Sequence, residues 1–192
     1  LAAQGITLQH LDLGGGVGIV YKDEHTPDLH AYAQAVEPLL KARGLSLVLE
    51  PGRSLVGNAG VLLTRVEYVK HGEEKNFVVV DAAMNDLMRP ALYQAYHAVE
   101  NVSHPDAPKI TADIVGPICE TGDFIGKERQ IGAAQGDILA VRSAGAYASS
   151  MASNYNARCR AAEVMIDEQS NSRLVRRRET LDDLLATERE YL

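Results

Sequence analysis

Apolar and polar positions change rhythm twice along this chain, and each change marks an element. Ile6 to Leu13 is an apolar-rich run ending in glycine, which predicts a buried strand of a parallel sheet. Leu29, Tyr32, Ala33, Val36, Leu39 and Leu40 then recur at helical spacing, so a helix is predicted over 27–43, opening near Asp28 and stopping at Gly44. Leu45 to Leu49 is a short apolar run leading into Glu50, a second buried strand. Strand, loop, helix, strand is a βα repeat, and in such folds ligands bind at the carboxyl ends of the strands.

The texture alters near Ala59. Val61 to Lys70 and Asn76 to Asp81 are β-type runs flanking a turn at His71–Lys75. Met88 to His97 reads as a short helical or irregular stretch, and Thr111–Val115, Arg129–Ile131, Asp137–Val141 and Ala161–Ile166 as short strands between Gly/Pro punctuation. Leu181, Leu184 and Leu185 predict an amphipathic closing helix over 180–190, with Arg176–Arg178 as its solvated start. The expected fold is therefore α/β followed by β, with residues 1–58 the end of an α/β unit and 59–192 a mainly antiparallel β domain. A glycine loop belongs between flanking strands, so the chain reads as the carboxy-terminal part of a longer protein.

Composition narrows the function. With 192 residues, 46% of them hydrophobic, the chain can bury one sizeable core or two small ones. A net charge of −7 argues against nucleic acid and anionic membranes as partners, and no run of about 18 apolar residues predicts a membrane span. Two cysteines are too few for a disulfide framework, so a reducing cytoplasm is the expected location. The six histidines lack ligand spacing and read as structural or surface residues; no metal site is expected.

The chemistry concentrates at the two predicted strand ends. Leu13-Gly14-Gly15-Gly16-Val17-Gly18 lets backbone approach an anion without Cβ obstruction. It does not fit the dinucleotide fingerprint, because Ile19 stands where a small residue is wanted, and Gly122–Gly126 is one residue short of a P-loop, with Glu128 after Lys127 in place of Ser or Thr. Glu50-Pro51-Gly52-Arg53 adds a carboxylate, a rigid turn and a guanidinium. One strand end can hold a phosphate while the other clamps it and pairs with a ring nitrogen, which are the contacts a pyridoxal phosphate site needs. Arg89, before Pro90, either pairs with Asp86 or receives a carboxylate in its planar fork. Cys119, in the turn-rich Gly116–Asp123 segment, is either a small buried residue or a proton-delivering thiol beside Glu120. Tyr147, after Ser143–Ala146, is either a core residue or a hydroxyl and ring face for a cofactor.

Together the stretches LDLGGGVGIVY (11–21), EPGRSLVGNAGVLLTRV (50–66), VVDAAMNDLMRPALYQAYH (79–97), DIVGPICETGDFIG (113–126) and GDILAVRSAGAYASSMASNYNARCRAAEV (136–164) resemble the diaminopimelate decarboxylase family. That family lies in the alanine-racemase-like, fold-type III group of pyridoxal phosphate enzymes. The resemblance implies the last units of a cofactor-binding (β/α)8 barrel over 1–58 and a carboxy-terminal β domain over 59–192. It implies conversion of meso-diaminopimelate to L-lysine and carbon dioxide by a homodimer with shared sites. Gly15, Gly16, Gly52 and Arg53 would hold the cofactor phosphate, Glu50 the pyridine nitrogen, and Tyr147 both cofactor and substrate. Arg53, Arg89 and Tyr93 would hold a substrate carboxylate. Cys119 would be the proton donor and Glu120 the distal-amine ligand, both reaching into the partner's site.

Departures from the pattern are Ala148 in place of glycine, and Cys159 and Ala161 in place of proline. The family's cofactor-anchoring lysine lies near the start of the barrel, and none of Lys22, Lys41, Lys70, Lys75, Lys109 or Lys127 sits in that motif. The rival readings are an ornithine, arginine or carboxynorspermidine decarboxylase, a non-catalytic homologue, and a structural β domain.

Overall fold

The computed structural model describes residues 1–191. Strands β1 (His10–Asp12) and β2 (Ser46–Val48) pair in parallel, joined by the glycine turn and helix α1 (Leu29–Lys41). Asp28 caps α1 by accepting from the His30 and Ala31 amides at 2.9 and 3.0 Å, and Gly44 takes the left-handed conformation just beyond its end. The expected burial of both strands is not found. Leu11, Leu47 and Val48 are 38–41% exposed, because among the described residues the two strands pair only with each other and α1 buries a single residue, Leu40.

From Glu50 the chain turns through α2 (Gly52–Val56) and a 3-10 turn into the main sheet. That sheet comprises β3 (Leu62–Lys70), β4 (Asn76–Val80), β5 (Val99–Asn101), β6 (Ile110–Val115), β7 (Phe124–Ile131) and β8 (Ile138–Val141). The spatial order is β5-β8-β3-β4-β6-β7, antiparallel throughout except for the parallel pair β4–β6. The outer strands β5 and β7 approach each other, so the sheet nearly closes into a barrel. Alternation drives the burial. In β3, Thr64 and Val66 point inward while Leu63, Arg65 and Glu67 point out, until a register shift after Val66 reverses the pattern. Val66, Val78, Val80, Leu87, Ile114, Ile125, Leu139 and Val141 form the fully buried core. Each such side chain contributes about 1.5–3 kcal/mol relative to exposure.

A parallel pair needs a crossover, and the one between β4 and β6 carries α3 (Arg89–Tyr93), which packs near β7. Beyond the sheet, β9 (Glu163–Ile166) and β10 (Ser172–Arg176) form a hairpin whose turn is held by the Asp167 carboxylate. Arg176 therefore ends a strand, and the arginine run does not begin a helix. Helix α4 covers only Leu181–Leu184, and a separate 3-10 turn follows at Arg189–Tyr191. A Thr180–Asp183 capping box starts α4, but Leu181 and Leu185 remain 66% and 43% exposed, and a helix without a buried stripe does not propagate.

Candidate active site

A cavity of about 150 Å³ is lined by Gly15, Gly16, Val17, Gly18, Glu50, Pro51, Gly52, Arg53 and Tyr147. The two strand ends thus face one space. The Glu50 amide donates to the Gly14 carbonyl at 2.8 Å, locking the turn against the second strand end. Gly15 is obligatory there, since a Cβ would lie 2.7 Å from the Glu50 carbonyl oxygen. Gly14 and Gly16 both have left-handed φ, at 68° and 78°. Asp12 draws the Gly14 amide inward at 2.7 Å, a support not recognised from sequence. The Gly15 and Gly16 amides donate to no acceptor among the described residues, so they remain available to an anion. The Gly52 amide, by contrast, already donates to the Glu50 carbonyl at 2.9 Å, so Gly52 offers close approach rather than a free donor. Glu50 is exposed instead of facing a buried interior, for the same reason that its strand is.

Tyr147 arrives from the other end of the sequence through two glycines in contact. The Ala144 and Gly145 amides donate to the carbonyls of Gly60 and Gly57 at 2.8 and 3.0 Å. A Cβ on Gly60 would meet Gly145 Cα at 2.5 Å, and one on Gly145 would run into the Val56 carbonyl. This backbone contact docks the segment after β8 onto the end of α2. It sets the Tyr147 ring 5.3 Å from the Arg53 guanidinium, in cation–π contact. Tyr147 itself sits at φ 59°, a strained setting for a bulky residue. Arg53 forms no ion pair among the described residues, which leaves its charge for a ligand.

Arg89 heads α3 and lies outside that cavity's lining, buried at 8% exposure. It does not pair with Asp86, whose carboxylate accepts from the Ala83 amide at 3.0 Å and faces Arg158 at 3.9 Å. Its guanidinium instead lies over the Tyr21 ring at 4.7 Å and donates to His97 Nε2 at 3.1 Å. Tyr93, at the other end of α3, is 63% exposed.

Cys119 and Glu120 sit exposed on the β6–β7 loop, also outside the cavity lining. Of the two readings of Cys119, the small buried residue does not fit its exposure. Glu120 accepts from the Gly122 amide at 3.1 Å. Beneath them Asp123 is buried and accepts from the Ile118 and Met84 amides, each at 2.7 Å. Desolvation raises its pKa, with those amides acting in the opposite direction. A larger hollow of about 550 Å³ borders Glu67, Asp81, Pro117, Ile118 and Arg158, and none of the candidate site residues lines it. Arg158 there already donates to Asn85 and to the Asp81 carbonyl.

Residues 18–145 match the family described as pyridoxal-dependent decarboxylase, C-terminal sheet domain, and the chain belongs to that family. The diaminopimelate decarboxylase of Neisseria meningitidis serogroup B is 70% identical over 98% of this chain and 45% of its own length. That of Pseudomonas aeruginosa is 59% identical, again over 98% of this chain and 45% of the relative. The crystal structure of diaminopimelate decarboxylase from Helicobacter pylori complexed with L-lysine superposes with a TM-score of 0.92 at 41% identity, covering all of this chain and 47% of that one. The chain thus spans a little under half the length of the relatives it matches. Among the described residues no helix is long and apolar enough to cross a membrane.

Proposed function

We propose that this chain is part of a pyridoxal phosphate-dependent decarboxylase that converts meso-diaminopimelate to L-lysine and carbon dioxide. The carrying observation is that the glycine turn, Glu50–Arg53 and Tyr147, drawn from three separate segments, border one cavity. The residues fit the cofactor: the Gly15 and Gly16 amides and the Arg53 guanidinium, without partners among the described residues, suit a phosphate, and Glu50 borders the same space. In this reading residues 1–58 belong to the cofactor-holding barrel and 59–192 to the sheet domain.

Gly15 and Gly16 amides with Arg53 bind the phosphate, and Gly52 lets it approach the backbone. Glu50 would accept a hydrogen bond from the ring nitrogen, favouring the protonated ring. When bound, the cofactor supplies an electron sink for the pair left as carbon dioxide departs. Tyr147 would orient ring and substrate, while Arg53, Arg89 and Tyr93 would hold the substrate carboxylate in a fixed place. Cys119 delivers the proton to Cα and Glu120 binds the distal amine, both in the site of a partner subunit of a homodimer. Their exposed loop, outside the cavity of their own chain, supports that division.

The test is a complete enzyme made by joining this chain to the part of the Neisseria meningitidis relative that it does not match. Carbon dioxide release from meso-diaminopimelate should exceed that from L-ornithine, L-arginine and carboxynorspermidine by at least ~100-fold, because a second carboxylate needs its own arginine. Equal turnover of ornithine would refute the substrate. Site sharing has its own check. Cys119→Ala subunits mixed with subunits lacking the cofactor-anchoring lysine should regain part of the activity, and no recovery in verified heterodimers contradicts it.

A further inference from the structure

We infer that His97 is a positioning residue that presents the Arg89 guanidinium to the substrate carboxylate, through a neutral imidazole whose Nε2 lone pair accepts one arginine N–H. The inference rests on the reading of Arg89 as a carboxylate ligand. His97 is fully buried at the end of the segment that follows α3. Its Nδ1 lies 2.9 Å from the Arg142 carbonyl oxygen, and its Nε2 lies 3.1 Å from Arg89 Nη1. A carbonyl only accepts and a guanidinium only donates, so Nδ1 must carry the proton and Nε2 the lone pair. No other protonation state satisfies both neighbours.

The surroundings agree. Burial lowers the His97 pKa, and the charges of Arg89 and Arg129 lower it further, against the Arg142 carbonyl, which raises it. Tyr21 completes the seat: its ring lies under the Arg89 guanidinium at 4.7 Å and meets His97 edge-on at 5.3 Å. Arg89 is thus buried and held in place by a neutral acceptor and an aromatic face. Among the described residues no carboxylate lies within ion-pair distance of it. A carboxylate at position 97 would anchor the guanidinium equally well but cancel its charge. An imidazole fixes the fork and leaves its positive charge, with the remaining N–H donors, for an anion from outside the chain.

The experiment uses the complete enzyme described above and two ligands that differ by a single carboxylate, L-lysine and cadaverine. His97→Asn reaches the Arg142 carbonyl but removes the acceptor for Arg89, whereas His97→Gln places an amide oxygen near the Nε2 position. His97→Asn should weaken L-lysine about tenfold and leave cadaverine within about twofold, and His97→Gln should keep both within about threefold. Equal weakening of both ligands by His97→Asn, no weakening of L-lysine, or equal damage from the two variants would overturn the inference. Arg89→Met separates the two levels. If it leaves the preference for L-lysine over cadaverine intact, the carboxylate reading of Arg89 falls, and the role of His97 with it. Should the variants not fold, the ¹⁵N spectrum of the unmutated enzyme decides. A protonated Nδ1 and an unprotonated Nε2 are expected in the folded enzyme at neutral pH, and a proton on Nε2 there excludes the acceptor role.

Discussion

Gly15 carries the sharpest single-residue consequence. A methyl group at this position would stand 2.7 Å from the Glu50 carbonyl oxygen, so the turn and the second strand end could no longer meet as they do. Gly15→Ala in the complete enzyme should weaken pyridoxal phosphate by at least ~10-fold, about 1.4 kcal/mol. Absorbance titration checks this, with the far-ultraviolet circular dichroism unchanged; undiminished affinity would contradict the phosphate role. That the glycine turn and Glu50–Arg53 face one space was legible in the sequence because the two contiguous motifs close neighbouring strands and were read together. Arg89 was only half legible. Its residue type left a carboxylate ligand and an Asp86 partner both open, until the turn after α3 brought His97 to the guanidinium and left Asp86 with Ala83 and Arg158. Neither Gly60 nor Gly145 signalled that it docks Tyr147, since their meaning lies in mutual contact across the fold.

Two loops depend on one carboxylate. Asp123 ties the segment before β7 to the residues leading into α3, holding Ile118 and Met84 amides together. Asp123→Ala leaves both donors without their acceptor, at about 1–3 kcal/mol each if they stay buried. Thermal unfolding should move down accordingly, and amide exchange at Ile118–Glu120 should quicken in the folded protein. A lowered Tm with unaltered exchange would mean that Asp123 does not order the Cys119 loop. Strand pairing was readable where alternation and a turn coincide, as in β3 and β4. The parallel β4–β6 pair was not, because it depends on a crossover whose partner strand lies some thirty residues on. The closing helix failed for a different reason: the leucine spacing was genuine, but Leu181 and Leu185 stay 66% and 43% exposed, too little burial to reward a second turn.

Taken whole, the chain shows a well-buried sheet domain beside a two-stranded parallel unit with apolar faces open. Leu11, Leu13, Leu47 and Val48 on that unit, and Val164, Ile166 and Leu174 on the β9–β10 hairpin, are all at least 38% exposed. We propose that none of this chain's lysines is the one that anchors the cofactor. The 192-residue chain alone should therefore release no carbon dioxide from meso-diaminopimelate even when saturated with pyridoxal phosphate, and lysine formation above the uncatalysed rate would refute this. The account stands most directly on where the cofactor lies in the complete enzyme. A crystal structure of that enzyme with pyridoxal phosphate should place phosphate oxygens within about 3.2 Å of the Gly15 and Gly16 amides, and the Glu50 carboxylate within hydrogen-bond reach of the ring nitrogen. A phosphate bound elsewhere, or a ring nitrogen facing away from Glu50, would contradict it.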